Sequence, residues 1–236
     1  MTTLQISRRF CGPPRSANGG YTAGSLAEAL GTDTTEVTLR MPPPLESTMD
    51  VEVDGARASL THGRAPVATA TASEVVIDPV EPVSYDDAAA FSAAYPGHSF
   101  HPFPTCFACG VDRDDGLRIF PGPVSEDERP RARVAAPWCP ADDVDLATTW
   151  AALDCVGGWA GDLTERLMVL GRMTATVDVL PRPGEPHVVM GRALGSKGRK
   201  TMTSATLYDG DGRIVGRAAH VWIAVDPAAF HGQTPR

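Results

Sequence analysis

The sequence predicts an α+β protein made of two copies of one unit, each a single long helix laid on an antiparallel sheet. Three pairs of matched features predict it: two hairpins, two strands that run into proline clusters, and two candidate helices at corresponding places. Self-similarity of this kind is read before any local element, because a repeat sets the whole topology.

The first candidate helix is Gly20 to Leu30, GYTAGSLAEAL, behind Asn18, a residue type suited to cap it. Glu36 to Leu45, EVTLRMPPPL, is a β-branched alternation ended by prolines, which cannot donate to a ladder. Ala58 to Val75 is a hairpin with a His-Gly turn. Residues 78–105 open on Asp-Pro, close on Pro-Thr and carry a short Ala-rich helix, about Tyr85 to Tyr95; they read as a linker. The second half repeats the order. Leu146 to Gly161 is a helix, Thr174 to Glu185 a strand into prolines, and Ala205 to Ile223 a hairpin with an Asp-Gly-Asp-Gly turn. The predicted organisation is a first unit at 1–77, a linker at 78–105, a second unit at 106–227 and a tail at 228–236.

Composition narrows the function. The chain has 236 residues and a formal net charge of −8, which argues against a nucleic-acid partner but leaves room for a small anion held by a few local cations. No stretch approaches the roughly 18 apolar residues of a membrane helix. The N-terminal MTTLQISRRFCGPP lacks the apolar core of a signal peptide. An odd count of 5 cysteines, without framework spacing, points to reduced thiols and a cytoplasmic protein. Cys106 and Cys109 have metal-ligand spacing, with Cys139, Cys155 or His101 to complete a set. A second well-spaced pair is missing, so no metal is expected.

The second half opens CFACGVDRDDGLRIFPGP and continues to WAALDCVGGWA. The first segment resembles the start of many small hotdog thioesterases, where Cys-x-x-Cys-Gly, a polar turn and Gly-Leu-Arg lead onto the first strand. The second resembles the central helix of the phenylacetyl-CoA and 4-hydroxybenzoyl-CoA thioesterase group, which runs from His-Gly-Gly to an acid nine residues on. Asp154 stands nine residues after Asp145 (154 − 145), but Asp145-Leu146-Ala147 replaces His-Gly-Gly. In the first half Asn18-Gly19-Gly20 keeps the glycines, with Asn for His, and position 18 + 9 holds Ala27. The resemblance implies a double hotdog: two units, each a central helix wrapped by an antiparallel sheet, acting on acyl thioesters.

The residue types suit that chemistry. A glycine-rich helix N-terminus offers free amides to a developing oxyanion, and a half-buried carboxylate offers a base or a nucleophile. In paired units of this family the glycine turn of one faces the acid of the other. The expected site is therefore one composite per chain, with Asn18 and Gly20 from the first unit and Asp154 from the second as the catalytic set. A carbonyl between acid and amide sets an expected gap on the order of 6–8 Å. Gly19, Tyr21, Gly157 and Gly158 are expected at the substrate, the last two giving close helix approach or room for an acyl chain. Some relatives carry a hydroxyl where Gly158 stands. Lys197, Arg199 and Lys200 are expected to meet coenzyme A phosphates, or to be a solvated strand end. His62 and His220 fall in strand patterns and read as structural.

The expected function is acyl-CoA or acyl-carrier thioester hydrolysis. Coenzyme A enters only as part of the substrate, with no separate cofactor. The alternative is a non-catalytic acyl-thioester binder or assembly protein, since the family His is missing. A hydratase would need a segment like Gly-Asp-x-Asn-Pro-x-His, which is absent. A homodimer of such paired units stays open.

Overall fold

A computed structural model describes residues 2–124 and 133–229. Its strands form one 11-stranded sheet in the order β1-β3-β4-β5-β2-β8-β11-β10-β9-β7-β6. The strands are β1 (Thr2–Gln5), β2 (Thr34–Leu39), β3 (Thr48–Asp54), β4 (Arg57–His62), β5 (Ala65–Ala72), β6 (Gly122–Pro123), β7 (Arg133–Trp138), β8 (Met168–Val177), β9 (His187–Lys197), β10 (Lys200–Tyr208) and β11 (Ile214–Ala224). Every pairing between them is antiparallel.

The order reads alike outward from the β2–β8 seam: β2-β5-β4-β3-β1 one way, β8-β11-β10-β9-β7 the other. The strands matched in the sequence hold corresponding places. The two halves meet by strand pairing, with Thr34 opposite Thr176 and Thr38 opposite Arg172. The Thr34 and Thr176 hydroxyls bond each other across that seam at 2.7 Å. Two-residue turns close β3–β4 and β9–β10 at corresponding places, each with a left-handed glycine, Gly55 (φ 55°) and Gly198 (φ 59°).

Helix α1 (Gly19–Leu30) starts at Asn18 and stops at Gly31, whose φ of 71° only glycine adopts freely. Helix α3 (Leu146–Ala160) is buried at 14 of its 15 residues, which is why it is apolar all round rather than striped. The two helices pack on each other and on the sheet. Gly20 and Gly24 make that approach possible: a Cβ on Gly24 would stand 2.7 Å from the Ala147 Cα.

The stretch read as a linker is built into the second half. Helix α2 (Tyr85–Ser92) covers β7, and Val80 and Ala88 join a small core with Ala135, Val188 and Met190. Tyr208 donates its hydroxyl to the Val80 carbonyl at 2.6 Å. One expectation fails. The Gly116-Leu117-Arg118 segment is irregular rather than a first strand; the backbone there bonds the cysteine loop, Leu117 to Phe107 and Ile119 to Ala108. The stretch is drawn inward by Ile119, which is fully buried, and Arg118 has a left-handed φ of 57° that breaks any extended run. From residue 230 on, the expected C-terminal tail lies outside the described residues.

Candidate functional site

The α1 N-terminus meets the middle of α3. Asn18 caps α1, its Oδ1 accepting from the Tyr21 amide at 2.8 Å. Asp145 caps α3 in the same way, accepting from the Thr148 amide at 2.7 Å. The Gly20 amide donates to Asp154 Oδ2 at 2.9 Å. The structure thus brings Asn18, Gly20 and Asp154 together across the two halves. It does not leave the expected gap of about 6–8 Å between acid and amide. Glycine at position 20 has no Cβ, so α3 closes in until the two groups bond directly.

Asp154 is 2 % exposed, and its second oxygen, Oδ1, has no hydrogen-bond partner among the described atoms. Burial pushes its carboxyl up to about 8, with the Gly20 N–H pulling the other way. The carboxyl borders a cavity of about 370 Å³. Leu39, Phe103, Leu170 and Trp222 line it, together with Asn18, Gly19 and Asp154. Nothing in the linear pattern marked those apolar walls, because β2, the linker, β8 and β11 converge only in the folded chain.

Of the α1 first-turn amides, Gly20 is taken by Asp154 and Tyr21 by Asn18. Gly19, the first residue of α1, lines the cavity. At the corresponding place in the other half, Ala27 stands where Asp154 would, beside Leu146 and Trp150 on a smaller cavity of about 220 Å³.

Three expected substrate residues lie elsewhere. Tyr21 stacks on Phe10 (3.9 Å between centroids, 11° between planes) and meets Phe107 edge-on, away from the cavity. A Cβ on Gly157 would stand 2.6 Å from His220 Nδ1 and 2.7 Å from Thr203 Oγ1. One on Gly158 would stand 2.9 Å from Trp222. Both glycines serve close packing of α3 on β10 and β11 rather than room for a ligand. His220 is buried as a structural residue, its Nδ1 3.1 Å from Thr203 Oγ1. Lys197, Arg199 and Lys200 form the exposed β9–β10 turn. They do not line the cavity, but Lys200 pairs in register with Ile223, which does.

A second cluster adjoins the site. Cys106 and Cys109, on the turn before Gly110, meet Cys155 of α3, and the three sulfurs lie within 4.8 Å of one another, all buried. Hydrogen bonds from the Cys109 and Cys155 thiols hold the Cys106 thiol well below its ordinary range. Of the three candidates that the sequence offered to complete the Cys106–Cys109 pair, the packing brings in Cys155.

No protein-family model matches the sequence, and no curated protein matches it. Solved structures do. An acyl-CoA thioesterase II (TesB2) from Mycobacterium marinum is 13 % identical, over 96 % of this chain and 93 % of that one, with a TM-score of 0.58. The tesB protein of Mycobacterium avium subs paratuberculosis is 12 % identical over 89 % and 88 %, also at 0.58. A conserved protein of unknown function with a hot dog fold, from Alicyclobacillus acidocaldarius, is 13 % identical over 95 % and 93 %, at 0.61. Along nearly its whole length, then, this chain has the hotdog fold, in the form seen in structures that include named thioesterases.

Proposed function

We propose that the protein is an acyl-thioester hydrolase with one composite site per chain, made by two tandem hotdog units, 1–77 and 106–227, joined by 78–105. The observation that carries the reading is the contact of the Gly20 amide with Asp154, which lines a largely apolar cavity. The cavity takes the acyl group, and the Gly19 amide and α1 dipole meet the carbonyl oxygen. Asp154 acts through Oδ1 while Oδ2 stays anchored. As a base it takes a proton from the attacking water; the carbon–sulfur bond breaks, and the thiolate leaves to be protonated. As a nucleophile it would form an anhydride that water then opens.

The exposed Lys197, Arg199 and Lys200 turn suits the phosphates of a coenzyme A moiety at the cavity edge. Five free cysteines favour a reducing, cytoplasmic setting. Among the described residues no helix is long and apolar enough to cross a membrane.

Asp154→Asn is the test. The Asn oxygen still accepts from Gly20, so the fold is kept while the ionisable oxygen is lost. Thiol release from a panel of acyl-CoAs is expected to fall at least about a hundredfold, the scale of a positioned base. Turnover near wild type would refute the reading. The mutual bond of Gly20 and Asp154 also favours a second reading, a binder without turnover. Saturable acyl-CoA binding with no thiol release from the wild-type chain would establish that instead.

A further inference from the structure

We infer that Cys106, Cys109 and Cys155 form a binding site for zinc or another thiophilic divalent cation, with three protein thiolates and a fourth position open to the cavity.

The geometry matches. Tetrahedral zinc with bonds of about 2.3 Å sets its sulfurs about 3.8 Å apart. Cys106 Sγ and Cys155 Sγ are 3.7 Å apart, and all three sulfurs fall within 4.8 Å. A disulfide would need about 2.05 Å. The ligands come from two rigid elements. Cys106 and Cys109 stand on a tight turn closed by the Gly110 amide on the Cys106 carbonyl at 2.8 Å. Only glycine fits there, because a Cβ would stand 2.5 Å from the carbonyl oxygens of Cys106 and Pro104. Cys155 comes from the middle of α3.

Ordinary buried cysteines are small apolar fillers and need no donors around them. These have donors. The Asn18 amide nitrogen, itself 2 % exposed, lies 3.7 Å from both Cys106 Sγ and Cys155 Sγ. The Trp159 indole N–H, on α3 four residues past Cys155, is buried without a hydrogen-bond partner among the described atoms. Such N–H groups around the ligands are what charged metal-bound sulfurs need. The fourth position is not filled by a side chain, since no other Cys, His, Asp or Glu atom falls within the cluster among the described residues. All three cysteines border the cavity, so a water or another small donor can enter there.

The test uses the reduced, full-length chain. Metal content is measured after purification without chelators, then after chelation and refilling with Co²⁺. About one ion per chain is expected, with the near-ultraviolet charge-transfer absorption of cobalt–thiolate bonds. Cys106→Ser and Cys155→Ser should each lose that absorption, and Cys139→Ser, an exposed cysteine away from the cluster, should keep it. Should the serine variants not fold, alkylation of the wild-type chain decides. Zinc should protect Cys106, Cys109 and Cys155 together and leave Cys139 reactive. Folded, reduced wild-type protein that takes up no cobalt into a thiolate site overturns the inference. So does cobalt–thiolate absorption that survives Cys106→Ser, or alkylation of the three cysteines unchanged by zinc.

Discussion

The Gly20 amide and the Asp154 carboxylate bond at 2.9 Å across 134 residues of chain, and a Cβ on Gly20 would come within 2.4 Å of the Asp154 Cβ. The missing Cβ is thus what joins the two halves at this point. Backbone is close as well, with the Trp150 carbonyl oxygen at 2.8 Å and the Ala151 Cα at 3.0 Å.

Gly20→Ala is therefore expected to lower stability by about 1–3 kcal/mol, because helix backbone rather than a flexible side chain must give way. Urea denaturation measures it. Combined with Asp154→Asn, the effect should depart from additivity by about 0.5–3 kcal/mol, since both changes act on one contact. An additive pair, or a stable Gly20→Ala, would mean that the helices tolerate separation here.

Much of the architecture was legible because periodicity and turn chemistry are local. The Glu36 and Thr174 strands, the two hairpins and both long helices fall at corresponding places in the sheet order. The pairing of Asn18 and Gly20 with Asp154 was legible too, through matched motifs. Its distance was not: the expected gap assumed that a ligand separates the groups, whereas Gly20 lets them touch. Gly157 and Gly158 carried two readings, close approach or room for an acyl chain, and the packing favours the first. A glycine in a helix signals that something approaches closely, and only the fold shows that it is His220 and Thr203 in one case and Trp222 in the other. Cys155 was one of three candidates to join Cys106 and Cys109, and only tertiary packing chooses it over Cys139 and His101.

His220 gives a pH dependence. Burial lowers its ring to about 4 from an ordinary 6.5. Trp222 Nε1 donates to Thr203 Oγ1 at 3.2 Å, so the threonine hydroxyl is free to donate to an uncharged His220 Nδ1. Between those two pH values the unfolded chain binds a proton that the folded chain does not. Stability must then rise with pH from 4 to 6.5 and fall on acidification through that window, by at most about 1.4 kcal/mol per pH unit. His220→Gln, uncharged throughout, should flatten that part of the curve. Denaturation midpoints at a series of pH values check it, and an unchanged slope in the variant would assign the dependence elsewhere.

The last prediction concerns the empty counterpart of the site. Ala27 and Asp154 hold corresponding places, as do Gly20 and Ala147, so on sequence correspondence alone Ala27→Asp would restore the missing acid. The packing says otherwise. Ala27 is 3 % exposed beside Trp150, and residue 147 carries a methyl where the first half has Gly20, which admits Asp154. An acid at 27 would be buried with no clear path to an amide, which costs about 1–3 kcal/mol. The cavity beside it, about 220 Å³ against about 370 Å³, is also the smaller. Ala27→Asp is thus expected to lower the melting temperature and, like the wild type under the proposed function, to bind one equivalent of a non-hydrolysable acyl-CoA analogue. Adding Ala147→Gly should recover part of the lost stability by letting the new carboxyl reach the α3 amide, as Asp154 reaches Gly20. Calorimetric titration gives the stoichiometry and thermal denaturation the stability. A second equivalent bound by Ala27→Asp alone would mean that the acid, and not the glycine opposite it, limits the number of sites.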